Sequence, residues 1–306
     1  MRYRFYTADV FSQTIFGGNP LAIFPQASGL KTQQMQKIAA EFNLSETVFV
    51  LPPETSSGTR HLRIFTPAQE LPFAGHPTIG AAYVLAAIGE IAFDIPRQTI
   101  IFEEEVGDIP VVIYSEAGKP VKTELSITQA PEWKADCPEI LQIADILSLN
   151  PEDIRQDDFM PEALSCGIPY LFVPLKDWQS LSRIHFNQEL WQKMLADTWA
   201  SSLYVFSFVN SGKSHFRARM FAPGLGITED PATGSAAAAF VGYLARRLSA
   251  KSGQWHWRIE QGIEMGRPSL LEIRLEKQAD NITTIGVGGA SVLVSEGVME
   301  VPTLDN

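Results

Sequence analysis

Two carboxylates in this sequence have neighbours that suit proton transfer on a small substrate. Glu46 follows "NLS" at the start of an apolar run, and Asp230 precedes a glycine by four residues. A carboxylate near a substrate carbon can act as a general acid or base, and a second polar group can orient the substrate. A capping or surface role for Glu46 explains the sequence equally well at this point.

Two stretches of the chain, 63–85 and 219–244, are similar enough to indicate an internal duplication. Both begin Arg-x-Phe-x-Pro, and the second has three extra residues in its loop. The alignment then brings four pairs together: Glu70 with Glu229, Pro72 with Pro231, Gly75 with Gly234, and His76 with Ser235. After each glycine the pattern turns to Ala, Leu and Tyr without β-branched alternation, which predicts a helix.

These two helices, predicted over 77–88 and 236–248, are apolar on all sides, which is typical of a buried helix. The flanking runs rich in Val, Phe, Tyr and Ile predict strands, and helices are predicted over 32–42 and 187–198. We therefore predict an α+β protein of two pseudo-symmetric domains, each a barrel-like mixed sheet around a central helix.

The predicted domains cover 1–117 and 122–290. The hinge between them is predicted near 115–122, where Gly and Pro interrupt two strand-like runs. A final strand near 290–306 follows the second domain, and its return to the first is left open. The acidic run "FEEEVGD", 102–108, is typical of a solvated turn.

Composition excludes several classes of function. The 306 residues are 45% hydrophobic and carry a formal net charge of −11, which argues against binding to nucleic acid or to an anionic membrane. No signal peptide or membrane span is predicted. Cys137 and Cys166 are far apart in sequence and do not form the pattern of a disulfide framework. A reduced cytoplasmic protein is therefore predicted, and one disulfide between the two cysteines is the alternative. The histidines show no metal-ligand spacing, and no metal is expected.

The two helix beginnings suggest an anion site. A helix N-terminus offers free N–H groups and a partial positive charge, and Gly75 and Gly234 allow a ligand to approach the backbone. Glycine and Ser235 are also good capping residues, but the repetition of the pattern favours a ligand. Asp230 lies opposite Leu71, so the acids differ between the copies. The difference in acids between the copies suits a mechanism in which one carboxylate moves a proton while the shared scaffold holds an anion.

Five motifs, in this order, point to a known family: "GGNPLAIF", "NLSETVFV", "RIFTPAQELPFAGHPT", "EDPATGSA" and "QGIEMGRPS". Together they resemble the PhzF-like isomerases of phenazine biosynthesis, within the diaminopimelate epimerase superfamily. The resemblance extends from residue 9 to about residue 297. It implies barrel-like domains around central helices, an active site between the domains, no metal or organic cofactor, and a homodimer.

The resemblance also implies roles for particular residues. In the phenazine enzyme a glutamate moves a proton within a dihydro-hydroxyanthranilate, giving a ketone that goes on to condense. Here Glu46 would be the proton shuttle, and His76 and Asp230 would orient the substrate by hydrogen bonds. The amides of Gly75 and of Gly234 and Ser235 would hold its carboxylate.

One departure from the superfamily narrows the chemistry. Racemising members carry two opposed cysteines just before the helix glycines, whereas Ala74 and Thr233 occupy those positions here. We therefore predict a cofactor-independent isomerase with a single active carboxylate and a small carboxylate-bearing substrate. The alternatives are an amino-acid epimerase, racemase or lyase, and a non-catalytic carboxylate-binding protein.

Overall fold

The chain folds as two units that are described separately below. The computed structural model describes residues 1–92, 96–127, 129–135, 137–209 and 214–303. The first unit comprises Met1–Ser126 with Gly288–Asn306, and the second comprises Ile127–Val287. No helix in these described ranges is long and apolar enough to cross a membrane.

From residue 1 to residue 127 the secondary structure elements are β1 (Arg2–Val10), β2 (Asn19–Phe24), α1 (Thr32–Phe42), β3 (Glu46–Leu51), β4 (Arg60–Phe65), β5 (Glu70–Leu71), α2 (Gly75–Ala87), β6 (Arg97–Glu104), β7 (Gly107–Glu116) and β8 (Lys119–Ile127). Those that follow are β9 (Glu132–Lys134), α3 (Ile140–Leu147), β10 (Glu162–Ser165), β11 (Pro169–Pro174), α4 (Gln179–Arg183), α5 (Gln188–Met194), β12 (Ser202–Phe208), β13 (His215–Ala222), β14 (Ile227–Asp230), α6 (Gly234–Ala245), β15 (Gly253–Gln261), β16 (Ser269–Gln278) and β17 (Asn281–Gly289). The last strand, β18 (Ser291–Glu300), pairs antiparallel with β1.

The two units repeat the same pattern of strand pairing. In the first, β1–β2 is antiparallel, β2–β3 parallel, β3–β4 antiparallel, β4–β6 parallel and β6–β7 antiparallel. In the second, β10–β11, β11–β12, β12–β13, β13–β15 and β15–β16 run in the same succession of directions. The short strands β5 and β14 each add antiparallel to the corresponding strand, β4 or β13. The predicted α+β class and the pseudo-symmetric organisation are confirmed.

Each unit holds one buried helix against its sheet, α2 in the first and α6 in the second. Nearly every residue of both helices is buried, as their all-round apolar sequences predict. Helix α2 packs against strands β1, β2, β3, β7 and β18. It approaches them closely at Gly80, where an added Cβ would lie 2.5 Å from Leu21 Cδ2 and 2.6 Å from Val10 Cγ2. A side chain at this position would force the helix away from the sheet.

A second layer of helices covers the outer face of each sheet. In the first unit α1 places Met35 and Ile38 against Phe24 and Phe49, while Leu21 faces α2 from the same strand as Phe24. In the second unit α3 and α5 pack against the outward-facing residues of β11 and β12. These strands are buried on both faces, which is why their sequences read as continuous apolar runs instead of alternating.

The duplication also repeats one ion pair in detail. Arg63 binds Glu70 through two hydrogen bonds of 2.6 and 2.7 Å, and Arg219 binds Glu229 through two of 2.8 Å. Each guanidinium also lies over a phenylalanine ring two residues further along its strand, at 5.3 Å in the first unit and 5.0 Å in the second. A bidentate pair fixes the angle of the loop that leads into each buried helix.

Local sequence patterns misplaced three features. The predicted hinge at 115–122 is instead the turn of a hairpin, because β7 and β8 pair antiparallel around Ala117 and Gly118, both with positive φ. The chain leaves the first unit only after Ser126. Helix α5 ends at Met194, short of the predicted Thr198, whose N–H and hydroxyl both bond to Leu195 O in a tighter turn.

The acidic run at 102–108 is the third of these features. It is not a solvated turn throughout, because Glu103 and Glu104 lie within β6 and are buried. The side chain of Glu103 accepts hydrogen bonds from Thr55 and from the backbone N–H of Glu54, which satisfies it inside the protein.

We predict that Glu229→Gln destabilises the protein more than Glu70→Gln. The Arg219–Glu229 side chains are 11% and 15% exposed, against 22% and 31% for Arg63–Glu70. Removing the counter-charge costs more free energy when the arginine that remains is more buried. We therefore expect the free energy of unfolding to fall by ~2 kcal/mol or more for Glu229→Gln and by ~1 kcal/mol or less for Glu70→Gln. Urea unfolding at pH 7 measures both, and equal losses would contradict the prediction.

Candidate active site

In the first unit the fold brings together Glu46 and His76, which are thirty positions apart in sequence. Glu46 is the first residue of β3, and His76 is the second residue of α2. Because α2 packs against β3, the start of the strand lies beside the start of the helix. His76 Nε2 lies 3.4 Å from Glu46 Oε2, and both residues are buried, at 6% and 8% exposure. Glu46 is therefore not a surface glutamate.

The contact between these two side chains is not an ion pair at neutral pH. Burial lowers the pKa of His76 to about 3, so the imidazole is uncharged. A neutral ring has one N–H donor and one nitrogen acceptor, and it gives Glu46 no compensating positive charge. The contact between Glu46 and His76 is therefore one between a carboxyl group and an uncharged ring.

The N-terminus of α2 provides backbone donors next to this pair. The N-cap residue is Ala74, with an extended backbone and no side chain that could cap the helix. The N–H groups of Gly75 and His76 have no partner within the helix, and Pro77 has no N–H at all. A capping side chain at the N-cap therefore does not explain the Gly-His pair.

In the second unit Asp230 lies in a hydrogen-bonded network ahead of α6. It is the last residue of β14, and it is 5% exposed. Its carboxylate accepts a hydrogen bond of 2.5 Å from the Thr233 hydroxyl. The side-chain amide of Gln261 donates to Asp230 O at 2.8 Å and to Thr233 Oγ1 at 3.0 Å. These bonds hold the aspartate in one orientation at the start of the helix.

Ser235 is bound to a side chain and does not cap α6. Its hydroxyl lies 2.7 Å from the hydroxyl of Tyr170 on β11, and Thr233 at the N-cap makes no side-chain capping bond. The N–H groups of Gly234 and Ser235 are among those without a partner inside the helix. The matched glycines of the two copies thus begin two helices whose N-cap residues, Ala74 and Thr233, make no side-chain capping bond, while the Thr233 N–H donates to Gln261 Oε1 at 3.4 Å.

Tyr170, which contacts Ser235, was not among the predicted site residues, because it lies in a strand 65 positions away and has no local signal. Gln261 belongs to the motif "QGIEMGRPS", one of the five that carry the family resemblance. The next residue, Gly262, has a φ of +76°, and an added Cβ would lie 2.6 Å from Pro231 O. That close approach brings Gln261 beside the loop before α6.

The cysteines lie away from these residues. Cys166 is buried with its thiol against Ala238 O of α6, and burial raises its pKa to about 12, so it stays protonated. In the described ranges, no three His, Cys, Asp or Glu side chains are grouped so as to hold a metal ion.

Comparisons with known proteins agree on one family. A family model described as phenazine biosynthesis-like protein matches residues 8–297. An uncharacterized isomerase of Mesorhizobium japonicum is 38% identical over 297 residues, which cover 94% of this chain and 96% of the relative. The trans-2,3-dihydro-3-hydroxyanthranilate isomerase of Pseudomonas aeruginosa is 33% identical over 295 residues, which cover 96% and 98%. Among solved structures, a PhzF-family phenazine biosynthesis protein of Bacillus anthracis has a TM-score of 0.86 at 24% identity. The match covers 98% of this chain and 100% of that protein, and this similarity shows that the two share a fold.

We predict that the His76 ring stays neutral from pH 8 to pH 5 in the folded protein and titrates near ~6.5 once the protein is unfolded in urea. Its folded pKa, about 3, lies below the unfolded value, so the unfolded state takes up the proton first. The stability linked to His76 is therefore complete above pH ~6.5 and is lost as the pH falls towards 3. NMR of ¹⁵N-histidine-labelled protein measures the ring directly, with His76→Gln to assign its signals. A ring that becomes charged near pH 6.5 in the folded protein would refute the prediction.

Proposed function

Because this chain belongs to the phenazine biosynthesis-like protein family and is an isomerase, we propose that it moves one proton on a small carboxylate-bearing metabolite, with Glu46 as the acid–base group. The observation that carries the proposal is the buried contact of 3.4 Å between Glu46 and the neutral His76 at the N-terminus of α2. It joins a proton carrier, a hydrogen-bonding ring and backbone anion donors in one place.

The proposed reaction is an isomerisation that needs no net change in composition. The Glu46 carboxylate takes a proton from one carbon of the substrate, and the electron pair of that C–H bond moves into the adjoining π system. The carboxyl group then returns the proton to another carbon of the same system, which restores Glu46. Nothing is oxidised or reduced, so these two transfers alone balance the reaction.

The remaining predicted residues have supporting roles in this proposal. His76 orients the substrate through a hydrogen bond, and its contact with Glu46 restricts the ring. The Gly75 amide binds the substrate carboxylate, since it lies in the first turn of α2. The orienting role of Asp230 and the anion-binding role of the Gly234 and Ser235 amides stay predictions from the family resemblance. The substrate class follows from these groups: an anion at one end and an acidic C–H bond beside a π system at the other.

The alternative of amino-acid racemisation has less support. A two-base racemase requires a base on each face of one carbon, and Ala74 has no functional group to serve as one. The hydroxyl of Thr233, at the other position, is committed to Asp230 and Gln261. The homodimer implied by the family resemblance stays a prediction.

We predict that Glu46→Gln reduces proton transfer by ~100-fold or more, the range usual for loss of a general acid–base group. The measurement is uptake of solvent deuterium, by mass spectrometry in heavy water. The first substrate to test is trans-2,3-dihydro-3-hydroxyanthranilate, and a mixture of small unsaturated carboxylates follows. Binding of the same compound should change by only a few-fold, because the anion donors are untouched.

Glu54→Gln provides a matched control for this experiment. Glu54 also contacts a histidine, with its Oε1 2.9 Å from His61 Nδ1, but its side chain is 72% exposed. We expect the control to exchange at the wild-type rate. Exchange that survives in Glu46→Gln would rule out the role of Glu46, and binding without exchange in the wild type would favour a non-catalytic carboxylate-binding protein.

A further inference from the structure

A second buried glutamate lies behind the N-terminus of α2, and the proposed reaction does not use it. Glu104 ends strand β6 and is 7% exposed. Its Oε1 lies 2.6 Å from the hydroxyl oxygen of Thr78 on α2, and its Oε2 is buried with no hydrogen-bond partner among the described residues. The same Thr78 hydroxyl lies 2.8 Å from the carbonyl oxygen of Ala74.

Counting hydrogens shows how these three oxygens can be arranged. The Thr78 hydroxyl has one hydrogen, and the Ala74 carbonyl can only accept. Both contacts can be hydrogen bonds at once only if Thr78 donates to Ala74 and Glu104, in its protonated form, donates to Thr78. If Glu104 is ionised, Thr78 must donate to it, and two lone pairs then face each other between Thr78 and Ala74.

We propose that Glu104 is a positioning residue that acts through Thr78 on the Ala74–Gly75 peptide and so aims the Gly75 N–H at the substrate carboxylate. The peptide unit is planar and trans, so the direction of the Ala74 carbonyl determines the opposite direction of the Gly75 N–H. The bonds from the Thr78 hydroxyl and from the Thr78 N–H, at 2.8 and 3.3 Å, fix that carbonyl. This inference rests on the proposed function, because it assigns the Gly75 amide to anion binding.

The surroundings of Glu104 favour the protonated form. Burial raises its pKa to about 8 from an ordinary value of 4.5, and the hydrogen bond with Thr78 is the one opposing influence. Besides Glu103 on β6, the adjoining elements carry these titratable groups: His76 and Tyr83 on α2, Arg60, His61 and Arg63 on β4, and Asp108, Tyr114 and Glu116 on β7. His76 is neutral, and Glu103 is engaged with Thr55 and Glu54. The basic groups of β4 contact other acids: Arg60 lies against Glu90, His61 against Glu54 and Arg63 against Glu70. The two influences on the pKa of Glu104 are therefore its burial and its hydrogen bond with Thr78.

Ionisation of Glu104 should loosen the anion donor while leaving the acid–base pair in place. Once Thr78 turns towards the carboxylate, the Ala74 carbonyl loses its shorter bond, and the Gly75 N–H is no longer held in one direction. The expected kinetic effect is on the KM of a carboxylate substrate, which rises above pH 8, with a smaller change in kcat. If Glu104 only stabilised the fold, a rise in pH would not change KM more than kcat.

The first test needs no substrate. In the wild type, the ¹⁵N amide signal of Gly75 should shift with pH with a midpoint near 8, and Glu104→Gln should abolish the shift. Glutamine is the matched replacement because its side-chain N–H₂ can donate to Thr78 at every pH. The folded pKa of Glu104 is raised, so its stabilising proton is fully present below pH ~4.5 and is lost as the pH rises to about 8. The melting temperature of the wild type should fall over that window relative to Glu104→Gln.

The second test uses the deuterium-exchange assay with the trans-2,3-dihydro-3-hydroxyanthranilate probe. We expect Thr78→Val and Glu104→Leu each to raise KM by roughly tenfold or more, since small misplacements of a binding group can cost up to ~100-fold. The double variant should be no worse than either single one, because both break the same chain of bonds. Glu104→Gln should keep a KM within a few-fold of the wild type and lose the rise above pH 8.

Thr123→Val controls for a general effect on α2. The hydroxyl of Thr123 donates to Ile79 O of the same helix at 2.9 Å, with no ionisable group attached, so its loss should leave KM within twofold. The proposal is overturned if the Gly75 signal does not titrate near pH 8, or if Glu104→Gln keeps the alkaline rise in KM. If the wild type fails to turn over any probe, the proposed function fails, while the Gly75 titration and the melting temperatures still decide the role of Glu104.

Discussion

The structure depends on burying one helix that is apolar on every side in each unit. Once α2 and α6 are surrounded by sheet and by their own loops, most of their side chains are apolar and need no polar partners, but the first N–H groups of each helix still do. The helix beginning is therefore the place where polar groups must collect, whether they belong to the protein or to a ligand. Glu46, His76, Thr78 and Glu104 all lie near one such beginning, and Asp230, Thr233 and Ser235 lie near the other.

The two units share their scaffold and differ in what they place on it. The strand succession, the bidentate Arg–Glu pair and the cation–π contact recur in both. Around the helix beginnings the copies are different: one has an imidazole against a carboxylate, and the other has an aspartate held by hydroxyl and amide groups. The shared scaffold thus gives each unit a buried helix that begins at a matched glycine, while the polar groups around the two beginnings differ.

Features with a strong local or repeated pattern could be predicted from the sequence. The apolar composition of α2 and α6 predicted their burial, and the alignment of the copies predicted the pseudo-symmetric organisation of the two units. Features set by contacts between distant segments could not be predicted in this way. "FEEEVGD" has the composition of a solvated turn, yet Glu103 and Glu104 are buried because β6 pairs with strands on both sides. The partnership of Ser235 with Tyr170 likewise depends on the parallel position of β11, which no nearby residue encodes.

The repeated ion pair has a consequence for how such a protein can change over time. Because both copies belong to one polypeptide, a substitution alters one copy and leaves the other as it was, whereas in a symmetric pair of identical chains every substitution occurs twice. Arg219 and Glu229 can keep the second loop in shape while Leu71, the counterpart of Asp230, stays apolar in the first. Joining two copies in one chain thus removes a constraint of symmetry, and an asymmetric arrangement of acids becomes accessible by single mutations.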